Sequence, residues 1–563
     1  MKAIKRLTFL LALLLLAAGC GREAPPETTA ATIPTAAPTT APTEPPHHWQ
    51  TGFVGGMNPE TEYRDENGAV LGTFLRGTGI EYEASPDGRT AVLLEDAIVY
   101  LGEDAFIAAD PADIIPAHTL YVRTAVNLRD ADGRLLDTFA QKGACAEVTG
   151  YDYLLENGGV HMYRVALDDQ EGYILPWYLC GSEAEALTNF DSGSYAIHAG
   201  RENRYGGGGA ADLDYFPREK DPIPGNEMPE ECRTLYLVNW RLDEVDAYLE
   251  IADGSGINAF VVDIVDGGAV GYAGEVMQTY CPSGAAAANN TPEEYRAAIQ
   301  KIKDAGYYVI GRITTFNDSF YVQDHPEHAI AKPSGDPLKL AGAYWPTPFN
   351  RAVWQYKVDL AVEAAELMGF NEIQFDYVRF PDNTGRHEKN GTIDFRNTLG
   401  ESKAQAVQRF LMYATDILHE HGVYVSADVY GESAFTYVTA YGQYWPAISN
   451  TVDAISGMPY PDHFGAEGSW RPWEHPYDIL FSWGQQAMQR QGETETPAAV
   501  RTWIQAYNAI KEPYNVYGPE EVAAQIHALR DAGCTGGFMT WNAGSSLNKY
   551  ASLIPAFAPP EDE

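Results

Sequence analysis

The sequence predicts an α/β protein in which a (β/α)8 TIM barrel over residues 231–556 follows smaller all-β domains. Eight apolar, strand-like runs occur in that range, and most are separated by stretches long enough for a helix. Apolar strands that alternate with helices are typical of a parallel sheet covered on both faces, and eight such units match a closed barrel. An open doubly wound sheet is the alternative, but no Gly-rich phosphate loop follows the first run. The runs are Thr234–Asn239, Ala259–Asp266, Tyr307–Phe316, Glu372–Pro381, Val423–Gly431, Ala454–Tyr460, Val500–Asn508 and Gly536–Gly544.

The first residues predict an exported, lipid-anchored protein. A positive stretch precedes an apolar run over residues 7–18, which is shorter than the roughly 20 residues that a membrane-spanning helix needs. Residues 1–19 are therefore predicted to be a signal peptide. The run ends in Leu16-Ala-Ala-Gly-Cys20, which resembles the lipobox of bacterial lipoproteins. That resemblance implies cleavage before Cys20, lipidation of Cys20, and attachment to the extracellular face of the bacterial cytoplasmic membrane. A plain secretory signal with an incidental Cys20 is the alternative.

Residues 20–47 predict a tether between this anchor and the folded domains. They are rich in Thr, Pro and Ala, and Ile33 is the one bulky apolar side chain in residues 21–46. Such a segment cannot bury a core, and its prolines make it stiff and extended. The polar, Gly-rich residues 188–230 predict a second linker, in front of the barrel.

Charge and cysteine content limit the possible partners. The formal net charge is −40, which argues against nucleic-acid binding because that function needs a basic footprint. The cysteines after Cys20 show no CxxC and no metal-ligand spacing, so we predict no metal site and no cofactor. Cys145 and Cys180 lie close enough in sequence to form a disulfide within one small domain.

The region before the second linker predicts small all-β domains. Short alternating runs are broken by Gly, Asp and Asn turns. Within residues 118–187, a Val-Asn-Leu-Arg strand, a Gly turn, a hydrophobic strand and a final Gly-Tyr-Ile resemble the bacterial SH3-like domain. A more degenerate copy is predicted over residues 48–117. The resemblance implies binding to the cell wall, and a spacer role is the alternative.

Carboxylates end two neighbouring strands of the predicted barrel. In strand four, Gln374 and Asp376 alternate with apolar residues, and in strand five Ser426 and Asp428 do the same. Side chains two residues apart share a face of a strand, so these four are predicted to point into the barrel. Barrel enzymes carry their catalytic groups at this end of the strands.

Two carboxylates across a cleft are what cleavage of a glycosidic bond requires. One protonates the leaving oxygen, and the other attacks the anomeric carbon or activates water. We predict that Asp376 is the nucleophile or principal charge stabiliser and that Asp428 is its acid/base partner. The alternative is structural: each buried Asp is held in an ion pair with Arg312 or Arg379.

Further residues near the strand ends are predicted to bind substrate. They offer carboxylates, guanidinium groups, amides and aromatic rings that can bond hydroxyls or stack on a sugar. These residues are Asp263, Arg312, Gln374, Arg379, Tyr460, Gln505, Trp541 and Asn542. Asp266 precedes Gly-Gly and is equally suited to a turn. Four tryptophans in loops after strands are additional candidates for sugar subsites: Trp345, Trp445, Trp470 and Trp473.

The segment Phe370-Asn-Glu-Ile-Gln-Phe-Asp-Tyr-Val-Arg-Phe-Pro381 resembles the signature of a bacterial family of glycoside hydrolases with a barrel fold. The similarity covers about Arg233 to Ser546 and implies hydrolysis of a glycan without naming it. The expected substrate is a cell-surface or extracellular polysaccharide. Four further segments match the family pattern: Asn258–Asp266, Ile310–Asp318, Val425–Gly431 and Gly457–His463.

A binding protein that has kept the sugar cleft and lost turnover is the alternative function. Gln505 stands at the mouth of strand seven, so the Glu–Glu arrangement of many barrel glycosidases is absent. Val378 lies two residues after Asp376, which excludes a chitinase-type acid at that position. A deacetylase-like or lyase enzyme is a third possibility, but a deacetylase needs a metal site, and the sequence shows no His/Asp cluster of that kind.

Overall fold

A computed structural model of the protein describes residues 47–558, except residues 96, 103, 104, 189 and 191–202. The predicted signal peptide, Cys20 and nearly all of the tether lie outside the described residues. Within the described part, no helix is long and apolar enough to cross a membrane.

Two antiparallel sheets of seven strands each precede the barrel. Both have the strand order third, second, sixth, fifth, fourth, first, seventh, so the two sheets share one topology. Each encloses an apolar core of its own, around Val54 and Val92 in the first and around Leu128 and Val165 in the second. The first comprises Gln50–Gly55, Glu60–Arg64, Val70–Leu75, Gly79–Ala84, Thr90–Leu94, Ala97–Leu101 and Phe106–Ala108; the second comprises His118–Val122, Val126–Arg129, Leu135–Ala140, Cys145–Tyr151, Tyr163–Leu167, Gln170–Ile174 and Leu179–Cys180.

The predicted disulfide between Cys145 and Cys180 is wrong. Both cysteines are free. They pair with Tyr121 from opposite sides of its strand, which places them two strand spacings apart, or roughly 9.5 Å. A disulfide joins Cα atoms that lie within about 7 Å.

Part of the predicted linker packs against the barrel. Leu213 and Tyr215 are buried in one apolar cluster with Val438 and Tyr444 of the barrel domain. The amide of Gln408 binds the backbone on both sides of Asp214, at 2.9 and 2.7 Å. Residues 210–215 are therefore packed against the barrel domain and do not form part of a flexible linker.

The C-terminal domain is an α/β barrel of parallel strands. Ala499–Val500 pairs with the strand before it and Thr502–Gln505 with the strand after it, and these two segments are separated only by Arg501. The backbone amide of Arg501 also donates to the carbonyl of Ile455 at 3.0 Å. The two segments therefore act as one strand that closes the eight-stranded barrel. The strands in order are Cys232–Leu237, Ala259–Asp266, Tyr308–Thr314, Glu372–Asp376, Tyr424–Tyr430, Ala454–Met458, Ala499–Val500 with Thr502–Gln505, and Gly537–Trp541.

Helices between the strands cover the outside of the barrel. Two of the longest begin at sequence-encoded caps, with Asn350 in front of one and a Ser402–Gln405 capping box in front of another. Short strands Ala269–Tyr272, Ala288–Asn290, Lys339–Leu340 and Ala343–Tyr344 lie in the loops. The helices are Glu183–Leu187, Val245–Asp253, Glu275–Tyr280, Pro282–Ala285, Pro292–Asp304, Ser319–Asp324, Arg351–Met368, Gly385–Lys389, Lys403–Glu420, Trp445–Ser449, Pro476–Gln491, Pro519–Asp531 and Leu547–Leu553.

The second sheet and the barrel share a buried contact on helix Lys403–Glu420. The Asp416 carboxylate accepts hydrogen bonds from Arg129 Nη2 at 2.8 Å and from the Tyr178 hydroxyl at 2.7 Å, and its other oxygen binds Arg218. Met412 of the same helix joins the apolar core of the second sheet. This contact ties the all-β part of the chain to the barrel.

Candidate active site

A cleft of about 220 Å³ opens where the barrel strands end. Several of its lining residues are the last of their strands, as Asp376 and Trp541 are. The cleft therefore lies at the carboxyl end of the barrel, where this fold carries its active sites. It is lined by Asp266, Arg312, Asp376, Tyr377, Arg379, Tyr430, Met458, Tyr460, His463, Trp503 and Trp541.

Arg312 lies at the base of the cleft and joins carboxylates from three strands. Its Nη2 and Nε donate to Asp376 Oδ2 at 2.5 and 3.2 Å. Its Nη1 donates to Asp263 at 2.6 Å and to Asp266 at 3.2 Å. Nε also lies 3.8 Å from Asp428 Oδ2. One guanidinium thus faces four carboxyl groups, all within 4 Å.

Asp263 is the most enclosed of these carboxyl groups. One oxygen binds Arg312 and the other accepts from the hydroxyl of Tyr236. Burial raises the pKa of Asp263 to about 7, although Arg312 acts in the opposite direction. Asp266, at the end of the same strand, is about one third exposed and faces the cleft.

Asp428 lies behind the cleft wall with its side chain fully buried. Oδ1 accepts a hydrogen bond from Trp503 Nε1 at 2.7 Å, while Oδ2 has no hydrogen-bond partner among the described residues. Burial raises the pKa of Asp428 well above its ordinary value, and the charge of Asp376 raises it further. A proton on Oδ2 removes the cost of an unpaired buried charge.

A tight turn directly after strand four directs Arg379 back towards the cleft. Tyr377 adopts a left-handed backbone conformation with φ of 49°, and its carbonyl accepts from the Arg379 amide at 2.8 Å. The Tyr377 amide donates to Asp376 Oδ1 at 2.5 Å, so the turn also holds that carboxylate. The Arg379 guanidinium donates to the Tyr430 hydroxyl at 2.7 Å and to Asp382 at 3.1 Å. Such strained residues cluster at functional sites.

Aromatic rings form the rest of the cleft wall. The rings of Trp503 and Trp541 meet edge to face at 5.6 Å, and Tyr236 packs on Trp541 at 4.8 Å. Arg312 lies over the Trp541 ring at 5.3 Å. Tyr460 lines the opposite part of the cleft beside His463, at a ring separation of 5.0 Å. Rings with a polar tip can stack on a sugar face and bind its hydroxyls.

The structure places four predicted substrate-binding residues away from the cleft: the fully buried Asp263 and three residues with amide side chains. Gln374 is fully buried below the cleft and donates to Ser456 at 3.3 Å. Gln505 is also fully buried and binds the backbone of Asp462 and Tyr507. Asn542 donates to the carbonyl of Ala506 at 3.1 Å. Their amides are used within the protein because the strand alternation that points them inward also places them in the packed interior.

The tryptophans predicted as sugar subsites do not line the cleft. Trp345, Trp445 and Trp473 are buried, and their indole nitrogens donate to Leu340, Gln491 and Pro513. Trp470 is half-buried and stacks on His475 at 5.6 Å. The position of a tryptophan in a loop after a strand therefore does not identify it as a sugar-binding residue, because a large ring in a loop is more often packed against the core.

Several cleft residues were absent from the sequence-based prediction. The strand alternation that selected Asp376 and Asp428 also points Tyr236 and Trp503 inward, so this signal was available for both. Tyr430 and Met458 end strands five and six, and Tyr430 lies two residues after Asp428, so the same alternation applies to them. Tyr377 and His463 lie after strands, where no alternation distinguishes them. The additional lining residues are Tyr377, Tyr430, Met458, His463 and Trp503.

Sequence comparison gives one family match. The model of a family described as "putative glycosyl hydrolase domain" matches residues 234–548, which is more than half of the chain. No curated protein matches the chain in sequence.

Similar solved structures cover between 35% and 60% of the chain. A hypothetical protein from Ruminiclostridium thermocellum ATCC 27405 is 33% identical, covering 35% of this chain and 97% of that chain, with a TM-score of 0.29. A glycoside hydrolase domain from Bordetella bronchiseptica is 14% identical, covering 59% and 99%, with a TM-score of 0.43. The spore cortex-lytic enzyme of Bacillus megaterium QM B1551 is 10% identical, covering 60% and 76%, with a TM-score of 0.35.

Proposed function

The chain belongs to the family described as "putative glycosyl hydrolase domain", and on this premise we propose that it is a glycoside hydrolase that cleaves a cell-surface or extracellular polysaccharide. The observation that carries the proposal is the arrangement of four carboxyl groups around Arg312 at the base of an aromatic-lined cleft. Glycosidic cleavage needs carboxyl groups in two protonation states at one site, and this arrangement supports both.

Asp376 and Asp428 have different surroundings near Arg312, and this difference assigns them different roles in the proposed reaction. Asp376 receives two hydrogen bonds from the guanidinium and one from a backbone amide, so both of its oxygens have donors. Asp428 is buried, lacks a partner on Oδ2 and faces the charge of Asp376, which favours its protonated form. Neighbouring carboxyl groups in such unlike surroundings are typical of acid and base pairs.

In the proposed reaction, Asp376 provides the negative charge and Asp428 the proton. Asp376 attacks the anomeric carbon or stabilises its developing positive charge. Asp428 protonates the departing glycosidic oxygen, which requires the side chains that now separate it from the cleft to move aside when substrate binds. The half-buried ring of Trp541 holds the sugar by stacking, and the buried rings of Tyr460 and Trp503 support the cleft wall. Arg312 keeps the carboxyl groups in place through its hydrogen bonds to Asp263, Asp266 and Asp376.

The first test measures turnover and binding in Asp376→Asn. We expect release of reducing ends from bacterial wall or capsular polysaccharides to fall by orders of magnitude, while retention on the same polysaccharide persists. Asn keeps the shape and part of the hydrogen bonding, so the melting temperature should change little. A purely structural ion pair predicts a loss of roughly 3–5 kcal/mol of stability instead. Wild-type protein that binds polysaccharide and releases no ends would support the non-catalytic binding function.

The second test identifies the proton donor. Asp428→Asn should be strongly impaired on natural glycans and less impaired on aryl glycosides whose leaving group needs no protonation. Asp266→Asn is the matched comparison, since Asp266 also binds Arg312 and lines the cleft. If Asp266→Asn shows the dependence on leaving group and Asp428→Asn does not, the acid assignment moves to Asp266.

The remaining parts of the chain are proposed to place this barrel at the cell surface. Cys20 is the proposed lipid anchor, and the two seven-stranded sheets are proposed to be SH3-like modules that bind the cell wall or act as spacers. Their identical strand order supports two copies of one module. A membrane-attached enzyme on a stiff tether would meet polysaccharides outside the cytoplasmic membrane.

A further inference from the structure

A short segment after the third barrel strand carries metal-ligating side chains that do not line the cleft. His325, Glu327 and His328 each offer one ligand atom, and these atoms lie within 4.8 Å of one another. Glu327 Oε1 is 3.5 Å from His325 Nδ1 and 3.9 Å from His328 Nε2. We propose that these three side chains form a binding site for a divalent transition-metal ion, with Zn²⁺ as the best fit.

Hydrogen bonds on the far side of the rings direct the facing nitrogens towards a metal. His325 Nε2 lies 2.8 Å from the backbone carbonyl oxygen of Tyr280. A carbonyl oxygen only accepts, so Nε2 carries the proton and Nδ1 of the neutral ring keeps its lone pair. His328 Nδ1 lies 2.9 Å from the Tyr321 hydroxyl, which can accept that ring's proton and leave Nε2 free. Metal-bound histidines typically donate their other N–H in this way.

The facing atoms need a positive charge between them. In the neutral rings, a nitrogen lone pair of His325 points towards the carboxylate of Glu327 at 3.5 Å. Two electron-rich atoms at that distance repel each other unless a proton or a cation lies between them. A metal ion satisfies all three ligand atoms at once, whereas a proton on one ring satisfies only that ring.

The ligand set and its accessibility suit zinc. Two imidazoles and one carboxylate form one of the common three-ligand zinc sets, which leaves a fourth position for water. Bonds of about 2.0–2.2 Å place ligand atoms roughly 3.4 Å apart. The three atoms now lie within 4.8 Å of one another on imidazole rings that are 9° from parallel, so metal binding requires the side chains to move closer and the rings to turn. Glu327 is 60% exposed and can rotate, and the net charge of −40 attracts cations.

The proposed ion would fix the turn to its surroundings. Tyr280 is the last residue of helix Glu275–Tyr280, and Tyr321 belongs to helix Ser319–Asp324, so the bonds behind the rings link the turn to two helices. Directly after the turn, Ala329 pairs with Pro346, next to Trp345. The Trp345 ring packs at 5.7 Å on Tyr377 of the cleft wall. The site is therefore structural, and it is independent of the proposed hydrolase activity.

Titration of the chelator-treated protein with Zn²⁺ tests the proposal. We expect one equivalent to bind by calorimetry and the melting temperature to rise by several degrees, because a ligand that binds only the folded state stabilises it. Co²⁺ in place of Zn²⁺ should give the visible absorption bands of a four-coordinate site. His325→Gln/His328→Gln should lose all three effects.

Two further variants keep the result interpretable. Glu327→Gln changes an exposed side chain, should fold normally, and should weaken zinc binding at least tenfold. His475→Gln is the matched control, since His475 also lies near a carboxylate, 3.8 Å from Asp478, and should bind zinc like the wild type. The proposal is overturned if zinc binding does not saturate, if the double variant binds as tightly as the wild type, or if Glu327→Gln leaves the affinity unchanged.

Discussion

Arg312 is the residue on which the cleft depends most directly. It is 2% exposed and binds Asp263, Asp266 and Asp376 from strands two and four. A single positive charge cannot neutralise these groups together with Asp428, so the site favours the retention of at least one proton. The protonation state of the site is therefore coupled to the stability of the barrel, because the same buried groups contribute to both.

Asp263→Asn tests this coupling through the pH dependence of stability. Because burial raises the pKa of Asp263 to about 7, the folded state binds this proton more tightly than the unfolded state does. The resulting stabilisation is fully present below the unfolded pKa of about 3.9 and is lost as pH rises towards 7. We expect the melting temperature of the wild type to fall over that range more steeply than that of Asp263→Asn.

The control for this measurement is Asp246→Asn, which changes an exposed Asp on the barrel surface. Its pH profile should follow that of the wild type. Parallel melting curves for the wild type and Asp263→Asn would show that Asp263 is ionised throughout, and would contradict the pH dependence argued here.

At the scale of elements, strand seven closes the barrel and supports the floor beneath the cleft. Arg501 connects its two segments, and its Nη1 donates to Glu372 of strand four at 2.7 Å. Both side chains are fully buried, and Glu372 also binds the hydroxyls of Tyr308 and Ser426. A polar layer from strands three, four, five and seven therefore crosses the interior below Asp376 and Asp428, the carboxylates proposed to be catalytic.

Arg501→Met should destabilise the barrel strongly. It leaves the buried carboxylate of Glu372 without its charge partner, which typically costs about 3–5 kcal/mol. Urea unfolding followed by tryptophan fluorescence measures the loss. Glu372→Gln/Arg501→Met should recover much of it, since no buried charge then remains. Arg530→Met, which removes a half-buried pair with Glu231, should cost at most about 1 kcal/mol. An equal cost for Arg501→Met and Arg530→Met would contradict this account.

At the scale of the molecule, the buried contact at Asp416 determines which fragment of the chain contains a stable barrel. All eight barrel strands lie after residue 231, which from the sequence alone predicts that a fragment beginning there folds independently. The structure changes that expectation. Asp416 takes its partners Arg129, Tyr178 and Arg218 from the sheet and linker in front of the barrel. A fragment that begins at residue 231 loses all three.

We expect residues 231–558 to melt well below residues 118–558. In the shorter fragment Asp416 loses its three hydrogen-bond partners, and Met412 loses its apolar contacts and becomes exposed to water. Scanning calorimetry of the two fragments measures the difference. Equal melting temperatures would show that the barrel is stable alone, as the sequence predicts.

The sequence by itself determined the features that follow from local periodicity. Apolar runs separated by amphipathic segments gave the α/β barrel, and alternation within two strands pointed Asp376 and Asp428 inwards. Both inferences depend on residues close together in the chain, where the period of a strand or helix fixes which side chains share a face. The signal peptide and Cys20 depend on the same kind of local pattern, and they remain predictions outside the described residues.

Tertiary structure alone decided which side chains contact each other and which form hydrogen bonds inside the protein instead of lining the cleft. Trp503 reaches Asp428 from 75 positions along the chain, and Arg312 binds carboxylates from two other strands, because barrel closure brings the strands together. Gln374 and Gln505, both predicted to bind substrate, are buried and form hydrogen bonds within the protein instead. The three proposed metal ligands lie within four positions of the sequence, but the Tyr280 carbonyl fixes which nitrogen of His325 is free. Such outcomes depend on distances through space, which no local pattern of residues encodes.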